Sequence, residues 1–196
     1  MSDARDVSDT ADLAAGDFSV WIEQMGAAIA GERAADVACD GCTACCTAAQ
    51  FIHIAPDETD TLAHVPAALL FPAPQLPKGH VVMGYDDRGH CPMLIEGRCS
   101  IYEHRPRTCR TYDCRIFAAC GIEPDADKVE IAARVKRWQF SYPTTNDSTL
   151  HDAVVAAADF VANNRDATRG GRAPVTAAAI AVAAVRIVLS SRTTSD

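Results

Sequence analysis

The stretch Cys39-Asp40-Gly41-Cys42-Thr43-Ala44-Cys45-Cys46 places four cysteines within eight residues. Thiolates are soft ligands that hold zinc, copper(I) or iron–sulfur clusters. A Cys-x2-Cys step lets two sulfurs turn onto one ion or cluster, and this stretch makes the step twice. Gly41, Thr43 and Ala44 permit the tight, irregular backbone that wrapping a metal requires. Five more cysteines follow, Cys91, Cys99, Cys109, Cys114 and Cys120, so that all nine lie between residues 39 and 120. Adjacent Cys45 and Cys46 tend to point apart. Both ligate only if they serve different metals or different faces of one cluster. Cys39-x2-Cys42-x2-Cys45 with a remote Cys91-Pro92 repeats the local spacing of bacterial ferredoxin ligands. A mononuclear zinc site would instead be read from two Cys-x2-Cys pairs separated by a loop.

Other cysteine chemistries fail on position. A radical S-adenosylmethionine site needs Cys-x3-Cys-x2-Cys; Cys42 and Cys46 make the first step, but Ala49 stands where the third cysteine should be. A thioredoxin-like reading of Cys39-Asp40-Gly41-Cys42 lacks its strand and helix context. The acidic, polar start from Met1 to Asp9 does not read as an export signal, and nine is an odd count, so metal is favoured over a disulfide framework. The expected location is cytoplasmic.

The elements that must position these thiols are short. Residues 1–16 read as a disordered tail and 17–196 as one domain, with a cysteine core at 36–122 and a helical part at 123–190. Asp17 can cap a helix to about Ala35 whose Trp21, Ile22, Met25 and Ile29 share a face. Phe51–Ile54 and Val81–Met83 suit strands. Pro56, followed by Asp57, Glu58 and Asp60, suits the first turn of a helix. Pro66, Pro72, Pro74 and Pro77 mark the next segment as a loop. Cys91–Ile95 and Arg98–Tyr102 read as a hairpin turned at Gly97, which would set Cys91 and Cys99 on neighbouring strands. A helix is expected from Asp125 to Phe140, another from the Asn146-Asp147-Ser148 cluster with Leu150, Val154, Ala158 and Val161 on one face, and a last one from Ala173 to Leu189. The fold class is α+β and mainly helical: a small irregular metal-nucleated cysteine core with short strands, flanked by packed helices.

Charge narrows the partners. At 196 residues and 48% hydrophobic the chain has material for a core, and its net charge is -8. Residues 1–35 hold seven acids against Arg5 and Arg33, and residues 36–122 hold ten acids against seven bases. Bound thiolates would deepen that negative charge, so a nucleic-acid partner is not expected. Ala173 to Leu189 is alanine-rich and interrupted by Arg186. It reads as a buried helix rather than a membrane span.

Cys39-x2-Cys42-x2-Cys45-Cys46, then Cys91-Pro92-x-Leu94, then Gly97-x-Cys99-x-Ile101-Tyr102-x2-Arg105-Pro106-x2-Cys109-Arg110-x-Tyr112-x-Cys114 resembles the YkgJ-type cysteine-cluster family over residues 36–120. That family is described as zinc- or iron-chelating, and flagellin lysine methylases share the domain. The resemblance implies that Cys39, Cys42, Cys45, Cys46, Cys91, Cys99, Cys109 and Cys114 are the ligand pool, and it leaves Cys120 outside. Around them, His53, His80, His90 and His104 could ligate but read first as ordinary hydrogen-bonding histidines. Arg105, Arg107 and Arg110 could offset thiolate charge, or pair with Glu103 and Asp113, the favoured reading for Arg107. Tyr102 is expected to pack on the site and donate a hydrogen bond, and Trp138 and Phe140 to lie in the core. Three functions follow: a metal-binding protein holding an iron–sulfur cluster (favoured) or zinc; an iron–sulfur enzyme that modifies proteins or transfers electrons; or a thiol-based redox or metal sensor. No nucleotide-binding glycine loop and no Ser/His/Asp or Cys/His spacing supports the enzyme independently, although a cluster can itself be reactive.

Overall fold

Phe18, Trp21, Ile22 and Met25 recur at three- and four-residue intervals, and in the computed structural model they are the buried face of helix α1 (Phe18–Ala30). Ala28, not Ile29, continues that face. The structure describes residues 11–35, 37, 41–164 and 176–193. These divide into two compact units: the described parts of Met1–Gly26, Cys114–Asp125 and Ala132–Asp196, and those of Ala27–Asp113 and Ala126–Ile131. The chain is α+β and mainly helical, with seven helices and small sheets among the described residues.

The first unit is built on helices. Residues 13–16, expected in a disordered tail, join Asp17 in strand β1 (Leu13–Asp17), which runs parallel to a distant strand at Trp138–Ser141. That pairing also cuts short the helix expected over 125–140. Helix α5 (Val129–Val135) ends, and Trp138–Ser141 extends because its partner lies more than a hundred residues away in sequence, beyond the reach of local periodicity. Asp17 does not cap α1; its carboxylate accepts the Ser141 hydroxyl at 2.6 Å. The cap comes from Asp147 in helix α6 (Thr145–Asn163), one oxygen accepting the Ser19 N–H at 2.8 Å and the other the Thr144 N–H at 3.0 Å. One buried carboxylate thus satisfies unpaired N–H groups at the starts of two helices. The Ser19 and Thr144 hydroxyls, joined by these two amides, hold its pKa well below the usual carboxylate range. Leu150, Val154, Ala158 and Val161 form the buried face of α6, and helix α7 (Ala177–Thr193) buries Ile180, Ala181, Ala184, Val185 and Val188. No helix among the described residues is long and apolar enough to cross a membrane.

Between these long helices lies α4 (Arg115–Cys120), closed by Gly121 in the left-handed conformation at φ 63°. Its Cys120 is fully buried, with its thiol 3.8 Å from the Ala181 carbonyl oxygen, and burial pushes the thiol up to about 12. In the unfolded chain the same thiol ionises near 9. Its contribution to stability is therefore complete below pH 9 and lost as pH rises toward 12. A shift of that size corresponds to on the order of 4 kcal/mol. Cys120→Ala should flatten the alkaline loss of stability, followed by the fluorescence of Trp21 and Trp138, both in this unit. An unchanged alkaline slope would show that the thiol ionises alike in the folded and unfolded states.

The second unit is a set of short pieces around a small apolar core. Strands β2 (Ile52–Ile54), β3 (Leu70–Pro72) and β4 (Val81–Met83) form an antiparallel sheet in the order β2-β4-β3. β3 lies where prolines suggested only loop. As an edge strand it tolerates Pro72, which has no N–H to donate. Helix α2 (Thr59–His64) starts three residues after Pro56, with the intervening turn closed by the Glu58 N–H on the Ala55 carbonyl. Strands β5 (Leu94–Ile95) and β6 (Arg98–Cys99) form the expected hairpin; Glu96 and Gly97, at φ 50° and 75°, supply its left-handed two-residue turn. Helix α3 (Arg107–Thr111) follows. Ile52, Ile54, Val65, Met83, Met93 and Ile101 form the core, with Cys91, Cys99 and Cys109 packed against it.

Candidate metal centre

The cysteine stretch closes on itself through its own backbone. Ala44–Thr47 is a single 3-10 turn, with the Cys46 and Thr47 N–H groups and the Thr47 hydroxyl all directed to the Thr43 carbonyl. Gln50 donates to the Cys45 carbonyl at 3.1 Å, and Lys128 donates to that of Ala48 at 2.7 Å. The turn is tied to the next cysteine by the Cys91 N–H on the Cys46 carbonyl, at 2.7 Å. Asp86 shapes the loop that delivers Cys91 by accepting the N–H groups of Arg88 and His90. Gly89, at φ 79°, is needed there: a Cβ would stand 3.0 Å from that of Ala49. Cys99 lies on β6 opposite Leu94, whereas Cys91 precedes the turn into β5 rather than sitting on a neighbouring strand. Cys109 lies on α3, which is anchored to β2 by the Thr108 hydroxyl on the His53 carbonyl.

These pieces bring four sulfurs into one electrostatic environment. Burial pushes the Cys91 thiol up, and the neighbouring Cys99 adds to it. Cys109 is pushed up to about 12, first by burial and then by Cys91, Cys46 and Cys99, with Arg105 acting in the opposite direction. Cys91, Cys46 and Cys99 thus stand where each opposes a negative charge on the buried Cys109 sulfur, an opposition that a bound cation would relieve. The donor set therefore fits a thiophilic metal or cluster. None of the eight described cysteines forms a disulfide. No three cysteine sulfurs among them lie within 4.8 Å of one another, a separation met by Asp60, His64 and His104.

Cys42 and Cys45 are half-buried, and Cys39 lies outside the described residues. Cys114 opens the helical unit, where it is buried and its sulfur accepts the Trp138 indole N–H at 3.2 Å. Trp138 is core, and Phe140 is half-buried against Phe18 and Trp21. Tyr102 is half-exposed rather than packed, with the Arg105 guanidinium 3.9 Å above its ring. Arg107 forms a surface ion pair, but with Asp57 rather than Glu103 or Asp113. His53 and His80 hydrogen-bond each other at 2.9 Å, and His104 meets Asp60 at 2.8 Å. Three residues hold roles that motif and spacing did not assign to them. Glu58 is a buried carboxylate that accepts the N–H groups of Ala55 and Arg107. Lys128 holds the end of the cysteine turn. His64 lies one helical turn after Asp60, a four-residue spacing that was the available signal.

A thiol-lined centre on a small mixed framework defines a cysteine-rich metal-binding domain. The chain belongs to the CxxCxxCC family, whose model, described as a "putative zinc- or iron-chelating domain", matches residues 38–135. No curated protein and no solved structure matched the chain.

Proposed function

We propose that this protein holds an iron–sulfur cluster through its clustered cysteines, with Cys46, Cys91, Cys99 and Cys109 as the central ligands. Cys39, Cys42 and Cys45 belong to the same ligand pool, and Cys114 completes the eight of the family pattern. The observation that carries this reading is the convergence of four thiols, from the 3-10 turn, the loop before β5, strand β6 and helix α3, beside the Arg105 guanidinium. Iron is favoured over zinc because the Cys39-x2-Cys42-x2-Cys45 spacing follows ferredoxin ligands. When bound, a cluster supplies one-electron chemistry or a Lewis-acidic iron. The chain's own part is to bury the thiols, hold them on rigid short elements and place Arg105 against their negative charge.

Anaerobic purification after expression with ample iron tests the reading. The expected product is brown, with iron and acid-labile sulfide in similar amounts and a visible absorbance bleached by dithionite. A colourless protein with about two zinc ions per chain would overturn it and favour a closed, structural metal site.

A further inference from the structure

Asp60 and His64 are four residues apart on α2, and His104 closes the short 3-10 turn Tyr102–His104 that packs beside it. The Asp60 carboxylate faces the Nδ1 edges of both imidazoles: one oxygen is 2.8 Å from His104 Nδ1 and the other 3.7 Å from His64 Nδ1. The rings stack with centroids 3.6 Å apart and planes 4° from parallel. We infer that Asp60, His64 and His104 form a second metal site, for a divalent first-row cation such as zinc(II), cobalt(II) or iron(II). Its donor chemistry is distinct from that of the thiols.

Two imidazoles and one carboxylate suit ions of borderline softness and leave coordination positions open to water or a ligand, unlike a four-sulfur site. Binding requires rearrangement. Parallel rings aim their lone pairs side by side rather than at a common point, and His64 Nδ1 now pairs with its own helix at the Asp60 carbonyl, 2.8 Å away. The rings must therefore fan apart and exchange hydrogen bonds for the ion. All three side chains reach solvent, His64 and His104 at 40% and Asp60 at 66%, so water can complete the coordination of an ion held there. Arg110 acts on the Asp60 carboxylate from the same unit and would moderate, not cancel, its attraction for a cation. The site does not depend on the cluster reading, because none of its donors is a thiol.

Cobalt(II) titration of the full chain separates the two sites, because thiolate–cobalt charge transfer is intense and nitrogen/oxygen ligation lacks it. The wild-type protein should take up an equivalent of cobalt(II) without thiolate charge transfer. His64→Ala/His104→Ala should lose that equivalent, and Asp60→Asn should bind it on the order of 10-fold or more weakly. Circular dichroism should be unchanged in both variants. Equal cobalt uptake by the wild type and the double variant would overturn the site. So would a wild type whose bound cobalt is entirely thiolate-ligated, leaving the carboxylate as only the hydrogen-bond partner of His104.

Discussion

Removing the metal from the purified protein should unfold residues 27–113 while the helical unit retains its structure. The physical reason is the modest framework of that segment. Its sheet strands are three residues long, its hairpin strands two, and its main core comprises six buried apolar residues, with four partly buried ones and three thiols packed against them. Isolated elements of that size are marginal in water. A structural metal contributes on the order of 10 kcal/mol of binding free energy that is also folding free energy. That is comparable to the about 5–15 kcal/mol total stability of an ordinary domain. The helical unit draws on the packing of α4, α6 and α7 instead. Hydrogen exchange before and after chelation reads β2 and β4 directly, and Trp21 and Trp138 fluorescence reads the helical unit. Amides of β2 and β4 that stay protected in the stripped protein would refute the dependence. So would tryptophan emission that shifts together with the loss of protection.

Glu58→Gln should destabilise the same segment by about 2–3 kcal/mol and weaken metal retention on the order of 10–100-fold, although Glu58 ligates nothing. Its carboxylate is buried, one oxygen accepting the Ala55 N–H at 2.9 Å and the other the N–H of Arg107, the first residue of α3. Arg110 stands 3.9 Å away. The carboxylate therefore pins the helix that carries Cys109 to the turn between β2 and α2. Glutamine keeps the shape but has only one acceptor oxygen, so its amide NH2 must face a backbone N–H and leave a buried donor unpaired. The variant should show a lower denaturation midpoint and lose metal faster to a chelator, while Arg107→Gln, which removes only a surface ion pair, should change both little. Wild-type metal retention in Glu58→Gln would mean that α3 is positioned by its other contacts alone.

The features legible in the sequence were those encoded over short distances. Four cysteines in eight residues state a thiophilic site whatever the fold around them. The buried faces of α1 and α6 follow from three- and four-residue spacing, and the β5–β6 hairpin from a two-residue turn that needs positive φ at Gly97. What only the tertiary structure decided depends on partners remote in the chain. β1 extends because Trp138–Ser141 pairs with it, and that same strand ends a helix whose apolar spacing would have carried it further. α1 is capped from Asp147, 128 residues from the Ser19 amide it accepts. Within the eight-cysteine pattern, spacing could not tell which sulfurs face one another. The backbone bond from Cys91 to Cys46 and the anchoring of α3 gather Cys46, Cys91, Cys99 and Cys109, while Cys114 heads the helical unit. Local propensity fixes φ and ψ a few residues at a time; which distant groups share a site is decided only when the chain buries its apolar surface and must give every enclosed polar group a partner.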